Sequence, residues 1–141
     1  MERITDGVSN PFGMRAPAEP AVYGYGDVNA DFHVIGADAE AHGGAETGVP
    51  FTRSVAGERI QSVLHAVGFA AEPYSDRPDL ENCYLSYLRL APGDPADVER
   101  YLDAELRALN AHILLPVGDD PLAYALREFT TQARSLPADA G

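Results

Sequence analysis

The chain has 141 residues and a hydrophobic fraction of 45%, which is enough to bury the core of one domain and excludes a disordered tail. Its 22 acidic and 10 basic residues give a net charge of −12, so nucleic acid repels it at low salt and any contact with DNA has to be local and short-range. Cys83 is the only cysteine, which excludes an intramolecular disulfide and a metal cluster held by the cysteines of one chain.

All ten basic residues are arginine. An acidic composition without lysine is typical of salt-loving archaea, whose acidic surfaces keep proteins soluble in concentrated salt; an ordinary acidic cytosolic protein is the alternative. Near 1 M salt the screening length falls to about 3 Å, so the net charge then argues only weakly against a DNA ligand. Because the chain shows neither a signal-peptide pattern nor an apolar run that could span a bilayer, we expect a cytoplasmic protein.

The first half of the chain predicts an irregular arm, a strand, a loop and a helix. Residues 1–21 are rich in proline and glycine, which favours turns. Phe32–Gly36 ("FHVIG") is an apolar run that ends in glycine and predicts a buried strand. The stretch "SVAGERIQSVLHAVG" predicts a helix that Ser54 caps and Gly68 ends. The apolar face of this helix consists of Val55, Ile60, Val63, Leu64 and Val67.

The second half of the chain alternates strands with helices. Cys83–Leu90 and "HILLPVG" predict two further strands, with an amphipathic helix beginning near Pro95 between them. "PLAYALREFT" predicts a third helix, and residues 132–141 read as a frayed tail. This alternation favours a three-layer α/β/α domain over residues 22–131, built on a short parallel sheet of three strands.

The loop after the first strand is the predicted site, because ligands of open parallel sheets bind beyond the carboxyl ends of the strands. Gly36 and Gly48 allow the backbone to approach a ligand closely. Pro50 stiffens the chain before Phe51, whose ring offers a flat face for stacking on a base. His42 is the histidine that this loop contains. The structural alternative is that Phe51 only fills the core.

Other kinds of site find little support in the sequence. The loop reads "GADAEAHGG" and lacks the glycine spacing of a dinucleotide-binding motif. A phosphate loop of the Walker type needs a lysine, and the chain has none. The four histidines do not have the spacing of metal ligands, so we predict no metal site.

Several segments together resemble the uracil-DNA glycosylase superfamily, specifically its iron–sulfur branch as haloarchaea carry it. They are "VYGYGDVNADFHVIG", "GVPFT", "AGERIQSVLHAVGF", "YLSYL" and "YLDAELRALNAHILLPVG", in the family's order and spacing over about residues 22–130. The resemblance implies a protein of base-excision DNA repair. Such an enzyme holds a flipped uracil against an aromatic ring, here Phe51 after Pro50, and hydrolyses the N-glycosidic bond.

The chain departs from the family pattern where the site is expected. The acidic residue that follows the glycine of the first loop is missing, which leaves Asp38 or Glu40 to position water. Tyr87 stands where the family has an asparagine that binds the edge of the base. The cluster cysteines align near Ala91 and Val98, so we expect no iron–sulfur cluster and no other cofactor. No fourth strand with a histidine motif follows the third helix.

Three hypotheses follow from these departures. The first is a catalytically weakened or inactive relative with a site for a nucleobase or single-stranded DNA formed by Gly36, Gly48, Pro50, Phe51 and Tyr87. The second is an active, cluster-free uracil-DNA glycosylase whose catalytic residue is Asp38 or His42. The third is a protein-interaction module on the same fold. Without a fourth strand, Ile113–Val117 becomes an exposed apolar edge, so we also predict a homodimer or a partner contact there.

Overall fold

The computed structural model describes residues 8–16, 18, 21–109, 111 and 113–128, and the predicted tail at 132–141 lies outside them. The described chain forms strands and helices in the order β1 (Val8–Ser9), β2 (Tyr25–Gly26), β3 (Phe32–Gly36), α1 (Ala39–His42), α2 (Val55–Ala66), β4 (Cys83–Tyr87), α3 (Pro95–Leu109), β5 (Ile113–Pro116) and α4 (Asp119–Glu128).

The strands form one mixed sheet in the order β1-β2-β4-β3-β5. Strand β3 pairs in parallel with β4 and β5, and Phe32 stands opposite Cys83 on one side and Ile113 on the other. The predicted parallel centre of three strands is thereby confirmed. Strands β2 and β1 extend the sheet in antiparallel pairing, and β1 lies in the segment that we expected to be an irregular arm. Strands of two residues are too short to show an alternating pattern, which is why the sequence did not reveal them.

Helices cover both faces of the sheet, as the predicted three-layer architecture requires. Successive side chains of a strand point to opposite faces. Val34 of β3 therefore packs with Leu64 of α2 on one face. Its neighbour Ile35 packs with Leu102 of α3 and Tyr124 of α4 on the other.

Helix α2 has the predicted ends, but it buries only part of the predicted apolar face. Ser54 accepts a hydrogen bond from the N–H of Gly57, and Gly68 follows the helix with φ +94°. Three residues of the predicted apolar face are 67%, 57% and 60% exposed, namely Val55, Val63 and Val67. Leu64 of that face is buried and Ile60 packs against the core, and the helix also buries Gly57 and Gln61. Gln61 determines this orientation, because its amide nitrogen donates to the carbonyls of Phe51 (2.8 Å) and Ser75 (2.9 Å) in the interior.

A polar cluster lies under α3, between that helix and the sheet. Tyr84 donates its hydroxyl hydrogen to Glu105 Oε2 at 2.8 Å, and His33 Nε2 lies 2.5 Å from Ser86 Oγ. Glu105 also hydrogen-bonds Ser86. All four side chains are buried. Burial raises the pKa of Glu105 to about 8 and lowers the pKa of His33 to about 3, so both groups are neutral inside the protein at pH 7.

Strand β5 lies at one edge of the sheet, and within the described residues it pairs only with β3. Ile113 and Leu115 are 42% and 38% exposed. The described residues thus leave this apolar strand uncovered on its outer side, where the sequence predicted an exposed edge. None of the helices in the described ranges is both long enough and apolar enough to cross a membrane.

Candidate functional site

The loops that follow the three parallel strands meet at one end of the sheet. The N–H of Leu88 donates to the carbonyl of Gly36 at 2.8 Å, and the N–H of Arg89 donates to that of Ala37 at 2.9 Å. On the other side of β3, the N–H of Val117 donates to the carbonyl of Ile35 at 2.8 Å. The predicted site loop therefore lies at the carboxyl end of the sheet, between the loops after β4 and β5.

Phe51 lies at this end of the sheet and is completely buried. Its ring centroid is 5.4 Å from that of Tyr87, nearly edge to face, and 5.4 Å from that of His42. The His42 and Tyr87 rings are 6.1 Å apart, so the three rings contact one another. We call these three residues the aromatic cluster. No part of the Phe51 side chain reaches solvent, and the Tyr87 and His42 rings supply part of its surroundings.

The backbone at Phe51 is in the left-handed region, with φ +61°. A bulky side chain rarely adopts this conformation, which costs on the order of 1–3 kcal/mol and persists only where surrounding contacts hold it. Two such contacts hold it here. The N–H of Phe51 donates to the hydroxyl of Tyr87 at 2.8 Å, and its carbonyl accepts from Gln61. The ring is thus fixed at the strand ends by contacts from β4 and α2.

Tyr87 is the last residue of β4 and is 1% exposed. Its hydroxyl accepts from the N–H of Phe51 and donates to the carbonyl of Gly43 at 2.6 Å. Burial raises the pKa of this phenol, and the Phe51 N–H partly opposes that rise. Tyr87 is therefore a neutral side chain whose polar atom is fully used within the protein.

Asp38 and His42 are held by α1, the single helical turn after β3. Asp38 precedes the helix and accepts the N–H of Ala41 at 2.9 Å, as a helix N-cap does. His42 closes the turn, and its Nδ1 accepts the N–H of Ala37 at 3.1 Å. Burial lowers the pKa of His42, while the Asp38 carboxylate partly offsets this effect. At neutral pH the ring is thus uncharged, with the lone pair of Nδ1 already used.

The other predicted site residues, Gly36, Gly48 and Pro50, contribute to the packing and the turns of the loop. A Cβ at Gly36 would lie 2.7 Å from Phe51 Cζ and 2.9 Å from the Tyr87 ring, so Gly36 admits the two rings to the end of β3. Gly48 has φ +80° in the turn before the ring and faces open space. Pro50 is buried, directly before Phe51.

A cavity of about 470 Å³ opens beside the aromatic cluster without reaching Phe51. It is lined by residues 38–40, Ala45 and residues 89–93. Arg89 lines it but lies 3.4 Å from a Glu99 oxygen and 3.2 Å from an Asp120 oxygen. With Asp38 and Glu40 also present, carboxylates outnumber the guanidinium, which disfavours phosphate groups in this cavity at low salt.

The residues that the sequence did not single out are those that hold the site together. Gln61 joins Phe51 to Ser75, and Thr52 is fully buried with its hydroxyl donating to the carbonyl of Val49 at 2.8 Å. Helix α2 is amphipathic and carries several polar residues, so nothing in its sequence marked Gln61. Thr52 gave no sequence signal either, because its partner is fixed by the fold of the loop.

The described residues contain no group of three or more histidine, cysteine, aspartate or glutamate side chains placed to hold a metal ion. Cys83 is buried, and burial raises the pKa of its thiol to about 12, so it is neither a thiolate nucleophile nor a ready ligand. An iron–sulfur cluster is usually held by four cysteine thiolates, and this chain has one cysteine.

Comparison with known proteins gives one family. The model of the uracil DNA glycosylase superfamily matches residues 23–138. A search among curated proteins found no match. The match includes every strand of the parallel centre, the site loop and the aromatic cluster.

Proposed function

The chain belongs to the uracil DNA glycosylase superfamily, and we propose that it is a member in which hydrolysis of the N-glycosidic bond is weak or lost and in which any site for a nucleobase or single-stranded DNA no longer uses stacking on Phe51. The observation that carries this proposal is the complete burial of Phe51, whose ring contacts those of Tyr87 and His42. A base can stack on a ring only where one face of that ring is free.

The reaction makes two demands on a protein. It must stabilise the uracil anion that leaves, and it must orient a water molecule for attack on the sugar. The candidate residues for these tasks are engaged elsewhere: Asp38 caps α1, and Nδ1 of His42 accepts a backbone N–H. Neither side chain is arranged as a free general base, which supports weak or absent catalysis.

We further propose that the chain derives from the iron–sulfur branch and has lost its cluster. The loop sequence and the helix that follows it support the branch, and the single cysteine supports the loss. The lysine-free, acidic composition supports a haloarchaeal type. Within this proposal the fold needs no cluster, since apolar residues pack under α3 where the cluster cysteines would align: Leu90, Ala91 and Val98.

An active, cluster-free glycosylase is the second candidate. One observation favours it: Asp38 is only half-buried, and it lines the open cavity together with Glu40. A base bound in that cavity, instead of against Phe51, would lie beside a carboxylate. In this case Asp38 is the residue that positions water.

A uracil-release assay separates the two candidates. The substrate is single-stranded DNA containing uracil, in molar salt, with an active uracil-DNA glycosylase in the same buffer as positive control. We expect no turnover above background from the wild type, from Phe51→Ala or from Asp38→Asn. Wild-type turnover that Asp38→Asn abolishes would overturn the proposal and establish the second candidate.

The third hypothesis, an interaction module, is tested by binding alone. Fluorescently labelled single-stranded DNA is titrated against an unrelated polyanion of equal charge. Tighter binding of the DNA supports a retained nucleobase site. Equal or absent binding of both ligands would favour a protein partner, whose contact we place at the uncovered edge of β5.

A further inference from the structure

The Tyr87 side chain fills the space that lies against Phe51 at the ends of β3 and β4. Its ring is nearly perpendicular to that of Phe51, at an interplanar angle of 73°. It packs on Gly36, whose missing Cβ leaves room for it. The Tyr87 ring thus packs against the ring of Phe51 and against the backbone of Gly36.

The polar end of Tyr87 connects two backbone groups of the site loop. The N–H of Phe51 and the carbonyl of Gly43 both meet its hydroxyl oxygen, at 2.8 and 2.6 Å. Without that hydroxyl, the buried N–H of Phe51 and the partly buried carbonyl of Gly43 would both lose this partner. A planar ring with a carbonyl next to an N–H presents the complementary pair, an acceptor beside a donor.

We propose that Tyr87 is an internal occupant of the base slot, and that removing its side chain opens a site for a free planar lactam such as uracil. The inference rests on the proposed function, in which this end of the sheet is the former base site. Uracil and the tyrosine ring are both flat six-membered rings, so the space vacated by one suits the other. The Phe51 N–H selects the carbonyl, and the Gly43 carbonyl selects the N–H.

Tyr84 provides a matched control on the same strand. It is also fully buried, but it points to the opposite face of the sheet and donates its hydroxyl hydrogen to Glu105. Truncation of either tyrosine leaves a cavity of similar size under a helix-covered face. Only the Tyr87 cavity has the backbone donor and acceptor at its end.

The experiment compares thermal unfolding of Tyr87→Ala, Tyr84→Ala and the wild type with uracil, 1,3-dimethyluracil or phenol at millimolar concentration. We expect uracil at ten times its Kd to raise the Tm of Tyr87→Ala by about 3–6 °C and to leave the other two unchanged. 1,3-Dimethyluracil has no N–H to donate and should give a smaller shift. Phenol is the fragment that the substitution removes, so it should also raise the Tm of Tyr87→Ala; no shift with phenol would show that the slot does not open and would overturn the inference.

An absent uracil shift in folded Tyr87→Ala would overturn the inference, and so would equal shifts from uracil and its dimethyl form or in the two alanine variants. If Tyr87→Ala is unfolded, recovery of its far-UV circular dichroism is measured with the same ligands, in parallel with Tyr87→Asn. Failure of uracil to refold or stabilise either variant also overturns it. Uracil release by the wild type would instead contradict the proposed function, so the two failures are distinguishable.

Discussion

Glu105 makes the stability of this protein fall at high pH, and Glu105→Gln should remove this part of the pH dependence. The carboxyl group lies on α3, is 2% exposed, and accepts the hydroxyl hydrogen of Tyr84. A protonated carboxyl and a carboxamide have nearly the same shape, and Gln keeps one oxygen acceptor for Tyr84. The substitution therefore changes the titration of the site more than its packing.

The sign of the effect follows from the two pKa values of Glu105. Burial raises its pKa from 4.5 in the unfolded chain to about 8 in the folded one. The contribution to stability is fully present below pH 4.5 and is lost as the pH rises through 8. Over the full range this loss is about 5 kcal/mol, at about 1.36 kcal/mol per pH unit, and between pH 6.5 and 8.5 it is about 2 kcal/mol.

His33 makes the free energy of unfolding depend on pH in the opposite direction. Burial lowers its pKa from 6.5 to about 3, so its contribution is present above pH 6.5 and is lost as the pH falls towards 3. Between pH 4.5 and 6.5 the two slopes cancel. Subtracting the Glu105→Gln profile from that of the wild type removes the His33 contribution and isolates Glu105.

The assay is urea unfolding followed by far-UV circular dichroism at constant molar salt, from pH 5.5 to 8.5. We expect Glu105→Gln to gain about 2 kcal/mol relative to the wild type between pH 6.5 and 8.5. Glu72→Gln is the control, because Glu72 is exposed and solvent reaches it in the folded and unfolded chains alike. A difference between Glu105→Gln and wild type that stays flat above pH 6.5 would refute the reasoning, since Glu105 would then be ionised in the folded protein.

Three further predictions concern the site loop and the edge strand. Gly36→Ala should lower the free energy of unfolding by about 1–3 kcal/mol in urea, because its Cβ would overlap Phe51 and Tyr87; an unchanged midpoint would contradict the packing described. Ser54→Ala should cost about 1 kcal/mol, since it removes the N-cap of α2 and a hydrogen bond to the carbonyl of His42, and loss of helicity without loss of stability would argue against this. If two copies pair through β5, light scattering in molar salt should show a dimer for the wild type and a monomer for Leu115→Glu. Val55→Glu is the control, because Val55 is exposed on α2, away from this edge, and should leave the dimer intact. A wild-type monomer at high concentration would exclude that pairing.

The sequence alone determined the order of the main elements and the position of the loop in which a site is predicted. The apolar runs of β3, β4 and β5, the cap at Ser54 and the helix end at Gly68 are local signals, since each depends on residues close in the chain. The parallel sheet follows from the alternation of strands and helices, and the site loop follows from the parallel sheet. These inferences needed no knowledge of which distant residues meet.

Only the tertiary structure decided which side chains those elements bury and what they contact. Helix α2 turns Gln61 inward and its valines outward because two backbone carbonyls outside the helix, those of Phe51 and Ser75, need a donor. Glu105 is buried because β4 supplies Tyr84 and Ser86 to bind it. Phe51 is buried in part because Tyr87, 36 residues away in the sequence, packs against its ring and binds its N–H. Burial of a polar or aromatic group depends on partners that folding brings together, and a pattern of neighbours along one chain cannot specify them.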